Sequence, residues 1–340
     1  MMTQPFFPGK LGFGAAAVGN LYRAIPDADA FAVIEAAWAS GLRYFDTAPH
    51  YGFGLSEKRL GDALAELDLA GEAVISTKVG RRLDPMSGAD LSAVRQGFVS
   101  PEPFESVFDY TYDAVMRSYE ASLKRLRRNR IDVLLAHDIG SYAHGEAHEA
   151  RMREFLGGGL RAMQELRDGG AVRAIGLGVN ETAVCEEVLG HADLDVILLA
   201  GRYTLLEQTP LDSLFPLCAQ RGVRVVAGAP FNSGILARGV RSGPPAHYEY
   251  GAPPAAVVER VGRIEDICAA FGVPLPAAAL QFPVRHPVVE AVIPGIATPD
   301  ELATATALMT HAIPDAFWAA LSEAGLVDPR AIMLPSSLRA

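Results

Sequence analysis

The stretch FDTAPHYGFGLSEKRLG, residues 45–61, decides how the chain folds. It follows the strand-like LRYF, turns through Asp46, Thr47 and two glycines, and enters the helix-period segment EKRLGDALAEL, with Ser56 placed to cap that helix. Strand, turn and helix are thereby accounted for. Tyr51 is not, because a turn calls for Asp, Gly or Ser and has no need of a phenol.

The same strand-then-helix unit repeats to the end of the chain. Short apolar runs that close on Gly, Asp, Asn or Pro occur at 11–14 (LGFG), 44–48 (YFDTA), 74–80 (VISTKVG), 132–138 (DVLLAHD), 174–180 (AIGLGVN), 195–201 (DVILLAG), 223–230 (VRVVAGAP) and 291–295 (AVIPG). Helix-period segments separate them at 28–41, 56–67, 112–128, 151–170, 210–222 and 254–272. The strands lack in-out alternation, the pattern of a parallel sheet covered by helices on both faces. Eight such units predict an α/β fold, a (β/α)8 TIM barrel with long loops at its C-terminal face, built as one domain over residues 1–340. A doubly wound dinucleotide-binding sheet is the alternative suggested by Gly12-x-Gly14-x-x-Ala17, but the next helix starts too far downstream for that fingerprint. Loops 81–104, 139–150 and 237–254 follow strand ends and are the expected walls of a substrate pocket.

Composition narrows the class. The 340 residues are 50% hydrophobic and 21% charged, with a formal net charge of −10, which argues against nucleic-acid partners. The basic run KRLRRNR at 124–130 reads as the cationic end of a helix. Three scattered cysteines, Cys185, Cys218 and Cys268, suggest a reducing compartment. With no apolar run long enough to span a membrane and no signal-like start, a cytoplasmic protein is expected, a monomer or small homo-oligomer with a small-molecule substrate.

On a barrel, Asp46 ends the second strand, Tyr51 follows it, Lys78 ends the third and His137 the fourth. Singly, each has a plain reading: Asp46 a cap, Lys78 a snorkelling surface residue, His137 a satisfied structural histidine. Together, at three consecutive strand ends, they form a proton-transfer set. An ammonium beside a phenol favours the phenolate, a carboxylate holds the ammonium, and a neutral imidazole can donate to a substrate oxygen. His144 and His148, four residues apart, could ligate zinc on a helix, but Gly145 lies between them and no third ligand is evident, so no metal is expected.

The strings FDTAPHYGFGLSEKRLG, VISTKVG and DVLLAHD resemble the aldo-keto reductase superfamily, with a likeness that spans nearly the whole chain. The resemblance implies an NAD(P)-linked oxidoreductase with Tyr51 as general acid/base, Lys78 and Asp46 tuning it, and His137 orienting the substrate oxygen. It implies that Asn180 bonds the nicotinamide carboxamide and that the segment from Pro230 through Phe231 and Asn232 to Gly234 passes under the pyrophosphate. Gly14, Pro294, Gly295 and Glu301 complete the expected cofactor contacts.

Departures from the family pattern refine this. Where NADPH-binding members carry a lysine after I-P and an arginine six residues on, this chain has Gly295 and Glu301, and a carboxylate there would repel a 2′-phosphate, so NAD is expected over NADP. The glutamine that partners the nicotinamide amide falls on Ala200 and the stacking aromatic on Gly228, with Phe231 or Tyr203 as substitutes. The segments VVAGAPFNSGIL and YEYGAPPAAVVERV look most like the branch of D-threo-aldose (L-fucose) 1-dehydrogenases and pyridoxal 4-dehydrogenases. The expected reaction is oxidation of a hemiacetal C1 hydroxyl to a lactone, with pyridoxal as alternative substrate. Arg81, Arg82, Asp84, His144, His247 and Tyr248 are candidate sugar contacts; Phe53, Tyr142 or Tyr248 could shelve a pyridine ring. An NADPH-linked carbonyl reductase and a non-catalytic cofactor-binding subunit, as in potassium-channel β subunits, are the remaining alternatives.

Overall fold

A computed structural model describes residues 6–243, 247–249 and 251–332. Among them, eight parallel strands form one sheet: β1 (Phe13–Gly14), β2 (Tyr44–Asp46), β3 (Val74–Val79), β4 (Ile131–His137), β5 (Val172–Val179), β6 (Val196–Ala200), β7 (Arg224–Gly228) and β8 (Val289–Ile293). Bridges from Leu11 to Val292 and from Gly14 to Gly295 join the first strand to the last, closing the (β/α)8 barrel that the sequence predicts. The helices that cover it include α1 (Asp27–Ala39), α2 (Leu55–Leu67) and α3 (Tyr112–Leu126), and later α4 (Leu160–Asp168), α5 (Ala183–Leu189) and α6 (Leu214–Arg221). After β7 come α7 (Ala255–Phe271) and α8 (Leu275–Gln281), and after β8 come α9 (Pro299–Thr310) and α10 (Asp315–Glu323).

The pleat sorts side chains into two cores. Outward residues of the strands, such as Phe45, Ile75 and Leu134, pack with the helices in one large cluster. Inward residues form a second cluster in the lumen, where Tyr44, Val74, Val133, Val196 and Ala291 meet Phe7 from the N-terminal segment. The alternation is clearest on β3: Ser76 and Lys78 bond Asp46 in the lumen, while Thr77 between them bonds Glu57 on α2.

The N-terminal glycines belong to the seam. A Cβ on Gly12 would lie 2.5 Å from the Tyr44 ring, and one on Gly14 would lie 2.7 Å from the Pro294 carbonyl oxygen. The Gly14 amide donates to that oxygen at 3.0 Å. Their spacing is thus required by barrel closure.

The loops are more ordered than expected. In the segment read as a loop over 81–104, Arg81–Pro85 pairs antiparallel with Phe104–Phe108, and Val94–Arg95 pairs with Phe98–Val99. Within 139–150, Ser141–His144 and Gly145–Ala147 are helical turns that lead into a helix at His148–Glu154. Of loop 237–254, residues 244–246 and 250 lie outside the described set; the remainder bridges Gly234 to His247 and Tyr248 to Gly251. No helix among the described residues is long and apolar enough to cross a membrane.

Candidate active site

Strand register brings three functional ends to one rim. Asp46 pairs with Gly14 and Ser76 across neighbouring strands, Lys78 with Leu135, and His137 with Gly178. Gly178 has a second use, since a Cβ there would lie 3.2 Å from the Lys78 side chain. Lacking one, it leaves room for the lysine to cross the lumen.

Tyr51 is set by a turn of left-handed residues. Gly52 (φ 65°), Phe53 (φ 55°) and Gly54 (φ 105°) carry the chain from Tyr51 into α2. A Cβ on Gly52 would sit 2.4 Å from the Gly19 carbonyl oxygen, so glycine is needed there on both counts. The helix begins at Leu55 after Gly54, and Ser56 does not cap it, contrary to the sequence reading. Ser56 is fully buried; it donates to the Ala15 carbonyl at 2.7 Å and lies 2.8 Å from the Thr47 hydroxyl, pinning the turn to the barrel rim. Buried Glu57 accepts from Thr77 and from Arg125 Nε, each at 2.6 Å.

The four sequence-predicted groups converge. Lys78 Nζ donates to both Asp46 oxygens at 2.9 and 3.1 Å, to the Thr47 carbonyl at 2.7 Å and to the Tyr51 hydroxyl at 3.2 Å. Ser76 adds a 2.6 Å bond to Asp46, and Tyr44 lies 3.1 Å from Ser76. The His137 ring stands nearly perpendicular to Tyr51, 5.9 Å between centroids. Its Nδ1 is buried with no partner among the described residues.

Electrostatics assign charge states. Burial pulls the Lys78 ammonium down, but Asp46 and then Tyr51 more than offset this, and its pKa is raised. Lysine is therefore charged. Burial pushes the Tyr51 phenol up, the Lys78 charge pulls it down, and burial wins. The lysine alone thus does not bring the phenol toward neutrality, as the sequence reading had it. Burial, with Lys78 and Arg81, holds His137 far below the usual imidazole range, so it is neutral.

Several neighbours were not singled out from sequence. His50 is buried between Phe98 and His137, its Nδ1 3.1 Å from the Ser106 hydroxyl, and burial, Arg81 and Lys78 bring its pKa down to about 3. Phe98, nearly fully buried, comes from the second hairpin to lie against His50 and Tyr51. Asp138, left-handed at φ 53°, places a carboxylate oxygen 3.5 Å from His137 Nε2 and accepts from Arg81 at 2.9 Å. His50 and Asp138 adjoin Tyr51 and His137 in the chain, the one signal that could have flagged them.

The proposed cofactor residues line the far side of the same rim. Asn180 donates to the Ala200 carbonyl over a long 3.4 Å. From Ala229 to Gly234 four residues have positive φ, and Asn232 Oδ1 is buried without a partner among the described residues. Pro230 is buried and Phe231 half-buried against the outer core. Tyr203 cannot serve as a nicotinamide shelf: it is fully buried, packed 4.5 Å from Phe215 and 5.2 Å from Phe282. Glu301 forms a capping arrangement at α9, its amide bonded by Thr298 Oγ1 at 3.1 Å and its carboxylate accepting from the Ala297 amide at 2.7 Å. Arg23 reaches to 4.0 Å of that carboxylate, a cation brought from a distant part of the chain. Between β8 and that helix, Pro294 is buried and Gly295 exposed.

The other sequence candidates disperse. Arg81 binds Asp138 and Gln96, whereas Arg82 is held by Asp84 and Asp109. His144 lies 3.0 Å from the Tyr110 hydroxyl and His148 3.3 Å from Glu187, so the two point to different partners. Tyr248 donates to Glu207, Arg202 stands over the half-exposed Tyr142 ring, and His247 is exposed.

Comparison with known proteins fits this geometry. Residues 10–325 match the model of the aldo/keto reductase family. A pyridoxal 4-dehydrogenase from Microbacterium luteolum is 43% identical over 94% of each chain. A D-threo-aldose 1-dehydrogenase from a Pseudomonas species is 42% identical over 93% of this chain and 94% of that protein. In structure, the holo form of an aldo-keto reductase from Bacillus halodurans superposes with a TM-score of 0.70 over 95% of each chain at 23% identity, which speaks for the fold. With a closed barrel, four complementary groups on one rim and relatives of this kind, the chain belongs to the aldo/keto reductase family, oxidoreductases that act on a CH–OH group.

Proposed function

We propose that the protein is an NAD-dependent dehydrogenase that oxidises the hemiacetal C1 hydroxyl of an aldose, of the L-fucose or D-threo type, to a lactone. The observation that carries this reading is the Tyr51 hydroxyl 3.2 Å from a lysine ammonium that is itself held by Asp46. Tyr51 as phenolate accepts the hydroxyl proton, Lys78 stabilises that phenolate, and Asp46 keeps the lysine charged and aimed. Neutral His137 donates a hydrogen bond to the reacting oxygen and fixes its angle.

Bound NAD⁺ supplies the hydride acceptor and a cationic ring whose charge favours the phenolate. Orphaned Asn232 Oδ1, the weakly engaged Asn180 amide and the left-handed 229–234 backbone fit such a group. Glu301 supports NAD over NADP, because its carboxylate occupies the α9 N-terminus that a 2′-phosphate would otherwise use. The buried thiols, with Cys218 and Cys268 pushed up to about 12 by burial, suit a reducing, cytoplasmic setting.

Pyridoxal is the second reading, favoured by the commitment of Arg81, Arg82 and Asp84 to ion pairs, which leaves fewer polar groups for a sugar. Supplying NAD⁺ or NADP⁺ against L-fucose, D-arabinose, L-galactose and pyridoxal, with nicotinamide absorbance as readout, separates the two. Sugar turnover with NAD⁺ is expected. Turnover of pyridoxal alone replaces the substrate, and activity only as carbonyl reduction with NADPH overturns both the direction and the cofactor.

A further inference from the structure

A cavity of about 610 Å³ opens between α2, α3 and the Arg81–Phe108 hairpin, and none of the four rim groups lines it. Its volume is in the range of small-molecule sites. Apolar surface comes from Leu83, Phe104 and Ala121, with the fully buried Phe53 behind them. Gly54 is part of the wall, since a Cβ there would meet the Arg125 stem at 3.0 Å and Leu83 at 3.4 Å.

Charge around the opening is one-sided. Lys58, Arg82, Arg117, Lys124 and Arg125 line it against the carboxylates Asp84 and Glu102, in a chain whose net charge is −10. Two of the cations are internally neutralised, Arg82 by Asp84 and Arg125 by Glu57. Lys58 pairs with Asp62 at 3.2 Å, both half-exposed. Arg117 and Lys124 form no ion pair among the described residues.

The basic run KRLRRNR gains a specific reading here. Arg127, Arg128 and Arg130 pair with Asp62, Asp68 and Asp132, leaving Lys124 facing the cavity. The helix dipole accounts for a cation in the last turn of α3 but not for Arg117 in its middle. Arg117, Ala121 and Lys124 share one helix face, so a small residue sits between two cations that form no ion pair among the described residues, above an apolar floor; the Asp84 carboxylate, already held by Arg82, also feels the Arg117 charge.

We infer that this cavity is a second binding site, for a small amphiphilic organic anion whose carboxylate or phosphate meets Arg117 and Lys124 and whose apolar body lies on Leu83, Phe104 and Ala121. Because Phe53 and Gly54 continue the turn that carries Tyr51, such a ligand would bind directly behind the catalytic turn. The inference is independent of the substrate proposed above.

Fluorescence titration with 8-anilino-1-naphthalenesulfonate, an amphiphilic anion, at saturating NAD⁺ tests it on the full chain. The double substitution Arg117→Glu/Lys124→Glu should weaken binding by about tenfold or more, whereas Arg127→Glu, just past the end of that helix, should leave it unchanged. Ala121→Trp, which fills the cavity without altering charge, should remove the same binding phase. Thermal melts of each variant verify folding. Displacement of the dye by decanoate or by phenyl phosphate names the preferred head group. Binding that survives Ala121→Trp, that falls equally with Arg127→Glu, or that neither competitor displaces would overturn the inference.

Discussion

The two ends of the barrel lumen use the same strands and opposite chemistry. At the lower end Tyr44, Val74 and Val133 close on Phe7, whose ring lies 4.3 Å from that of Tyr44. Along the same inward faces, the upper end carries Asp46, Ser76, Lys78 and His137. Both ends are shielded from water. A pleat that buries alternate residues without regard to polarity makes the lower end a core, and at the upper end turns burial into a means of setting charge states. There the ammonium persists because Asp46 is beside it, and the imidazole is neutral because burial, with the cations of Lys78 and Arg81, prevails although the Asp138 carboxylate is near.

The contrast can be broken from its upper side first. Tyr51→Phe should lower turnover on the order of 10³-fold while cofactor binding, followed by fluorescence quenching, survives; near-normal turnover would remove Tyr51 from the chemistry. Next, Lys78→Met strands the Asp46 carboxylate and should cost about 3–5 kcal/mol in denaturant melts, while Asp46→Leu/Lys78→Met should restore much of that stability and none of the activity. From the lower side, Phe7→Ala should cost about 3 kcal/mol and leave kcat unchanged, since that end only packs.

Acid titration sharpens the contrast with the smallest effect for each pH unit. His50, brought down to about 3 mainly by burial and then by Arg81 and Lys78, and His137, held well below its ordinary value chiefly by burial, are neutral in the fold. The unfolded chain protonates both near 6.5, so it binds more protons than the fold below that pH. Stability should be complete above pH 6.5 and fall by about 1.4 kcal/mol per pH unit per histidine as pH drops toward 4. A His50→Gln variant should flatten the slope of Tm against pH; an unchanged slope would mean that His50 is not buried neutral.

The barrel was legible because its strands are buried on both faces and therefore read as continuous apolar runs, as in DVLLAHD and DVILLAG. Asp46, Tyr51, Lys78 and His137 were legible because polar residues at the ends of such runs have no structural reason to recur. The hairpins within 81–108 were not, because Arg82, Asp84 and Pro85 depress strand propensity and the pairing is settled by partners such as Phe104 and Val107. Phe98 reaches the site only through that hairpin. The Arg23–Glu301 approach joins distant segments, and the missed role of Ser56 reflects a hydroxyl drawn to Ala15 and Thr47 instead of to its own helix. Gly178 carries no signal of its own within AIGLGVN, and its use became visible only once Lys78 was seen to lie against it.

The seam between β1 and β8 also sets an order of events during synthesis. Leu11 and Gly14 leave the ribosome well before their partners Val292 and Gly295, which lie far along the chain. Until then the first strand has one neighbour, β2, and the Asp46 that binds it on the rim has no finished ring around it. The nascent chain must therefore carry an open sheet edge until residue 295 emerges, which makes that interval a time of exposure to mispairing and chaperone capture.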